Sequence, residues 1–351
     1  MMADQARRAF LKQSAAIAIS GCAGLAGCWR SAGVNREVVV YCSLDREFSE
    51  PVLEAFTSQT GIKVLPKYDI ESNKSVGLAM SLDAESKRPR CDVFWNNEIL
   101  QTLRLMHKGV LEPFQPAAAA DFPPDVYDAK HYWHGLAARG RILLVNTERL
   151  KARTPPKLLT ELTEEAWRDD VAMAKPLFGT TATHSAMLFA LWGKERAQGF
   201  FRDLRKNGVQ VLSGNKHVAT AVGRGELTLG LTDTDDGLGE IITGRPVKML
   251  PIGQSEDFAG ALRIPNTLSL IKGAPNPEAG KKLIEYLLSA EVEKQLADSA
   301  SGQIPLRKGS VMPSRLFGEK PEIDWLAADF EKGAAAWDDS TQFLREEFLA
   351  E

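Results

Sequence analysis

Between Val38 and Trp95 three short apolar runs alternate with stretches of helical spacing, and that alternation restricts the fold more than any other feature. Val38-Val39-Val40-Tyr41-Cys42 is apolar at consecutive positions, the pattern of a strand covered on both faces. A helical spacing follows through Val52, Leu53 and Phe56, with Gly61 as its stop. Ile62-Lys63-Val64-Leu65 predicts a second strand, Val76 to Leu82 a helix, and Asp92-Val93-Phe94-Trp95 a third strand. Ile99, Leu100, Leu103 and Met106 mark a further helix that ends at Gly109. Strands that alternate with helices imply a parallel sheet with helices on both faces.

A second series begins after Ile142-Leu143-Leu144-Val145, which reads as a strand leaving the first. Val171-Ala172-Met173-Ala174 opens it, followed by helices around His184–Trp192 and Gln198–Arg205 and strands at Val209–Leu212 and Thr228–Leu231. Leu262 to Ile271 then returns to the first series, with a break expected at Pro265. Helices are predicted from Glu278 to Leu288 and from Glu291 to Ala297, and an amphipathic tail from Ile323 onward. The reading is an α/β chain of two doubly wound lobes joined by a two-strand hinge. Residues 37–138 with 262–310 form one lobe, 139–261 the other, and 311–351 a helical tail. Such lobes face each other across the carboxyl ends of their strands, where ligands bind and hinge closure buries them.

Residues 1–28 read as an export signal. Arg7-Arg8-Ala9-Phe10-Leu11-Lys12 has the twin-arginine pattern, and the apolar stretch from Ser14 to Ala26 is too short for a comfortable membrane span. Leu25-Ala26-Gly27-Cys28 looks like a bacterial lipobox, which would make Cys28 a lipid anchor and 29–36 a tether. The expected location is the periplasm or cell surface, with the membrane held through an N-terminal lipid. The leader carries Arg7, Arg8 and Lys12 against Asp4 within a whole-chain charge of −3, so the remainder is the more acidic part. That balance, without basic clusters, argues against nucleic acid as a partner. Cys42 and Cys91 close and open neighbouring strands, beyond the ~7 Å that a disulfide tolerates, and read as small buried residues.

The candidate chemistry lies in the loops that follow the strands. Ser43, Asp45 and Glu47 follow the first, Asn97 and Glu98 the third, and Asp233, Asp235 and Asp236 the strand that ends at Leu231. Hard cations take oxygen ligands, so Asp45, Glu98, Asp235 and Asp236 form a candidate metal set supplied by both lobes. Asp235 or Thr234 equally suits an N-cap before Leu238–Ile242. A rival constellation is anionic. Gly179-Thr180-Thr181-Ala182-Thr183-His184 opens a helix, where N–H groups and hydroxyls suit phosphate or carboxylate, and Arg139 and Arg141 could clamp an anion. Trp95, at a strand end, could line the crevice for an organic ligand. The five histidines lack metal-site spacing, so zinc chemistry is not expected. A secreted hydrolase that uses Asp233, Asp235 or Asp236 is the enzymatic alternative, although no nucleophile elbow or zincin motif accompanies it.

Several of these segments fall in the order and spacing of a known family: Val40-Tyr41-Cys42-Ser43-Leu44-Asp45, Gly61-Ile62-Lys63-Val64, Asp92 to Glu98, Pro265-Asn266-Thr267, Leu270 to Pro275 and Gln303-Ile304-Pro305. Together they resemble the ferric-ion type of ABC-importer solute-binding proteins, with the type II periplasmic-binding fold. The resemblance implies no catalysis, a permease and its ATPase as partners, a monomer, and ferric ion or another small charged solute as cargo, with or without a bound anion. Reporting to a membrane kinase is the alternative role. A histidine of the ferric binders corresponds to Asp45, and their glutamate to Glu98 or Asn97. Their two adjacent tyrosines correspond to the loop Gly230–Gly237, which holds Asp233, Asp235 and Asp236 instead. A phosphorylated or carboxylated organic anion is the alternative cargo.

Overall fold

The computed structural model describes residues 36–69, 75–318 and 322–350. The twin-arginine leader, Cys28 and all of the tether but Arg36 lie outside the described residues. Strands β1 (Glu37–Cys42), β2 (Lys63–Tyr68) and β3 (Val93–Asn96) are parallel, in the order β2-β1-β3. Helices α1 (Arg46–Thr60) and α2 (Val76–Ala84) connect them, and α3 (Leu100–His107) follows β3. Gly61 ends α1 at φ 69°, with its N–H on the Thr57 carbonyl at 2.9 Å. Glycine takes that left-handed conformation without a Cβ clash.

After the short β4 (Leu111–Glu112), the 13-residue β5 (His134–Asn146) runs buried from end to end. The sequence predicted only its last third as strand. Alanines, glycines and arginines in the first part carry little strand preference, and pairing on both edges decides their conformation. Residues His134–Gly140 pair antiparallel with β12 (Arg263–Ile271), and Arg141–Val145 pair antiparallel with β8 (Leu229–Asp233). The strands β6 (Val171–Ala174) and β7 (Gln210–Leu212) extend the far side in parallel with β8, giving the order β2-β1-β3-β12-β5-β8-β6-β7. β9 (Val247–Pro251) also pairs with β5, and β10 (Gly253–Ser255) with β11 (Phe258–Ala261) forms a separate hairpin. The strands of each alternating series are parallel as expected, and the antiparallel pairs come from the two strands read as crossings. The sheet is mixed, because β5 and β12 cross its middle in the opposite sense.

Pro265 does not break the return strand. Ala137 sits at φ 50° as an extra residue on β5, so that Pro265 faces Ala138 and Asn266 faces Leu136. Proline has no N–H to give. Ala138 exchanges both its backbone hydrogen bonds with Ile304 instead, at 2.7 and 2.8 Å. The bulge absorbs the proline.

The helices of the second series are α4 (Gly179–Trp192), α5 (Lys194–Lys206), α6 (Asn215–Gly223) and α7 (Thr234–Ile242); α8 (Pro277–Leu287) and α9 (Ala290–Asp298) follow β12. The largest apolar cluster is continuous beneath the middle of the sheet, joining Val38 and Leu136 to Ile142, Ala172 and Val218. The tail holds a single helical turn at Ser314–Phe317, and its long helix begins only at Phe330. The residues before it run along β11, with Leu326 donating to the Ala261 carbonyl at 2.9 Å. Helix α10 (Phe330–Phe343) then places Ala334 and Trp337 against Leu100 and Leu103 of α3 and Ala182 and Ala186 of α4. Cys42 and Cys91 are both buried. They belong to separate clusters, Cys42 with Trp95 and Cys91 with Phe94. Among the described residues no helix is long and apolar enough to cross a membrane.

Candidate functional site

Arg139 and Arg141 stand where β5 leaves β12 for β8. Arg139 lies opposite Ile264 and Arg141 opposite Asp233. Two residues apart on a strand, they project from the same face. Gly140 between them is closely covered by its neighbours. A Cβ there would lie 3.0 Å from the Trp325 ring and 3.2 Å from the Thr234 methyl.

The two guanidiniums gather the corner after β8. Arg141 Nη1 donates to Asp233 Oδ1 at 2.7 Å and to Asn215 Oδ1 at 3.1 Å. Thr180 Oγ1 and Asn215 Nδ2 both donate to Asp233 Oδ2, the latter at 3.0 Å. Arg139 Nη1 lies 3.4 Å from Asp233 and 3.3 Å from Asp235, while Nη2 donates to the Asn97 carbonyl at 2.6 Å. Burial alone would raise the Asp233 carboxyl. The charges of Arg141 and Arg139 more than reverse this and hold it below the usual range. Asp233 takes the N-cap position of α7, yet its carboxylate makes no capping hydrogen bond and turns to the arginines. The predicted cap at Thr234 or Asp235 is corrected accordingly, because both lie in the first helical turn. Asp236 is half-buried, and its N–H donates to Asp235 Oδ1 at 3.1 Å. One carboxylate oxygen from each of Asp233, Asp235 and Asp236 falls within 4.8 Å of the others.

The β6–α4 corner has the opposite character. Phe178 precedes α4 in extended conformation and offers no side-chain cap, and Gly179 turns the chain at φ 55°. The first N–H groups of a helix have no acceptor within it, and the dipole makes them a seat for anions. They open on a cleft of about 30 Å³ lined by Thr180, Thr181, Ser213 and Asn215, with Arg139, Asp236 and, from the end of β3, Asn97. Thr181 Oγ1 donates to Asn215 Oδ1 at 2.9 Å. Of the residues read from the sequence, Asn97, Arg139, Thr180, Thr181 and Asp236 therefore meet in one place.

His184 stands behind them. Its Nδ1 accepts from Arg141 Nε at 3.3 Å, which leaves Nε2–H to donate to Gln254 Oε1 at 2.6 Å. Burial, and then the charge of Arg141, push its pKa down to about 3. It is a neutral support for Arg141. Ser43 Oγ donates to Asn96 Oδ1 at 2.8 Å and accepts from the Asn97 N–H at 2.8 Å, fixing the loop after β3. Asp45 is half-buried at the start of α1, and its charge reaches both Arg139 and Lys216.

Two expectations are corrected by the geometry. Glu98 is engaged at both oxygens. It accepts from Leu100 N at 2.6 Å, Gln101 N at 3.0 Å, Asn96 Nδ2 at 3.0 Å and Thr183 Oγ1 at 2.6 Å, so it caps α3 and ties it to α4 instead of facing a metal. Burial raises its pKa against those four donors. Trp95 has no exposed surface, and its ring lies in the main apolar cluster and does not line the cleft.

Residues 101–330 match the family of bacterial extracellular solute-binding proteins. The chain belongs to this family. It is 25% identical over 271 residues to the major ferric iron-binding protein of Neisseria meningitidis serogroup A, covering 74% of this chain and 78% of that one. It is 26% identical over 275 residues to a putative 2-aminoethylphosphonate-binding periplasmic protein of Salmonella paratyphi A, covering 77% of each. The fold superposes on iron-bound HitA from Pseudomonas aeruginosa with a TM-score of 0.78 at 22% identity, over 88% of this chain and 98% of that one. The site of this solute-binding protein carries one residue that the sequence reading passed over. Asn215 bonds Thr180, Thr181, Asp233 and Arg141. Its position one turn after β7, at the same strand ends as the other corners, was the available signal.

Proposed function

We propose that this protein is the extracytoplasmic receptor of an ABC importer and that its cargo is a small solute bearing an anionic group. The anion sits on the N–H groups of Gly179, Thr180 and Thr181. The observation that carries the reading is the cleft at that helix start, which takes Asn97 from one side of the sheet and Thr181, Ser213 and Asn215 from the other. A solute there contacts both halves, and closure around it makes capture depend on the ligand. Asp236, at the rim of the same cleft, suits a cationic substituent on the solute. A relative named for 2-aminoethylphosphonate, a molecule with both charges, supports this class. Export by the twin-arginine route, anchoring through Cys28 and delivery to a permease in the cytoplasmic membrane complete the proposal.

A second reading has a hard cation as cargo, favoured by the convergence of Asp233, Asp235 and Asp236. Thermal unfolding of the purified protein with phosphate, 2-aminoethylphosphonate, fructose 6-phosphate or ferric citrate separates the two. A ligand at a hundred times its Kd adds about 2.7 kcal/mol of stability. Stabilisation by one of the three anions and none by ferric citrate is expected. Stabilisation by ferric citrate alone reverses the assignment, and no response to any of the four removes it.

A further inference from the structure

Arg139 is enclosed by carboxylates. Asp233 and Asp235 lie 3.4 and 3.3 Å from its Nη1, and the charges of Asp45 and Asp236 reach it as well. The side chain is buried, and the carbonyl of Asn97 holds Nη2 at 2.6 Å. A hard cation bound by these acids would need several of the same oxygens at ~2.0–2.6 Å. It would share them with a fixed positive charge, and like charges about 4 Å apart in a protein setting weaken binding by roughly a thousandfold. Asp233 is further committed to Arg141, Thr180 and Asn215. The donor set therefore does not fit a metal while Arg139 is in place.

We propose that Arg139 is a tethered counter-cation that stands where a metal cargo would stand, and so determines which solutes the receptor admits. The guanidinium neutralises the acids without an ion. Its Nε is buried with no hydrogen-bond partner among the described residues, and the residue lines the cleft, so the guanidinium keeps an N–H to offer an anionic oxygen of the solute. The class admitted is the metal-free anion, and removal of the guanidinium turns the corner into a site for a hard cation. The inference rests on reading this cleft as the solute site.

Calorimetric titration with Tb³⁺ and Ca²⁺ tests it in the wild type, Arg139→Lys and Arg139→Met, with circular dichroism as the check on folding. The wild type and the Lys variant are expected to take up neither ion. The Met variant is expected to bind one Tb³⁺ per chain at least a hundredfold more tightly than the wild type, with a rise in Tm. If the Met variant is unfolded in chelator, Tb³⁺ is expected to restore its circular dichroism. One equivalent of either ion bound by the wild type overturns the proposal, as does a Met variant that neither gains affinity nor refolds with Tb³⁺. Failure of phosphate and phosphonates to bind the wild type would instead remove the solute reading and leave the cation titrations to stand on their own.

Discussion

Two helix starts lie side by side at the carboxyl ends of β6 and β8, and they use the same backbone to opposite effect. At the start of α4 the sequence supplies Gly179, Thr180 and Thr181 and no acid, so the N–H groups and the positive end of the dipole face the cleft. At the start of α7 it supplies Asp233, Asp235 and Asp236, and the protein's own carboxylates stand where an outside anion would. Those acids are in turn held by Arg139 and Arg141 from β5. A helix start is thus a site for a ligand only where the chain leaves it uncapped. The acidic start acts as a wall that fixes the arginines.

Removal of Arg141 tests the comparison most severely. Arg141→Ala leaves Asp233 buried and half-paired, and a loss of about 3–5 kcal/mol is expected in urea denaturation. The double variant with Asp233→Asn should recover much of it, and a single variant as stable as the wild type would break the account of the acidic corner. Acid comes next. His184 has a folded pKa of about 3 against an unfolded value near 6.5, so between these limits the unfolded chain binds more protons and stability falls as pH falls. Asp233, also depressed, acts in the same direction below the ordinary carboxylate range. A loss of about 3 kcal/mol attributable to His184 is expected by pH 4, and His184→Gln should flatten the denaturation profile over that window.

The open corner is tested through its backbone. A Cβ on Gly179 would meet nothing within 4 Å, but the residue sits at φ 55°. Gly179→Ala should therefore cost about 1–2 kcal/mol from strain alone, and anion affinity should fall with it. Unchanged affinity in calorimetry would show that the helix start does not seat the anion. The smallest effect belongs to the exposed pair of Lys216 and Glu47, 3.4 Å apart between the first turns of α6 and α1. Lys216→Ala should change stability by no more than about 1 kcal/mol, less at high salt.

Much of this site is legible residue by residue. The Arg-Gly-Arg spacing places Arg139 and Arg141 on one strand face, and an acid-rich loop after an apolar run marks the β8 corner. Thr180 and Thr181 before a helical stretch mark the open one. Glu98 and Trp95 were misread for a shared reason. Each sits at the end of a strand, where exposure depends on what packs above it. Thr183, 85 positions along the chain from Glu98, engages its carboxylate, and the main cluster engulfs the indole. Pro265 was misread because the bulge that accommodates it lies on β5, more than a hundred residues away in the chain.

The sequence by itself determined the order of strands and helices, the loops that carry charge, and an α/β fold whose strand ends face a common crevice. Local spacing encodes these properties, because periodicity and turn residues act over a few positions. Only the tertiary structure decided that β5 and β12 run against their neighbours, that Glu98 is a cap, and that Arg139 already answers the acids around it. Those outcomes depend on which buried groups find partners across the sheet. A carboxylate in low dielectric takes whatever cation the fold brings within reach.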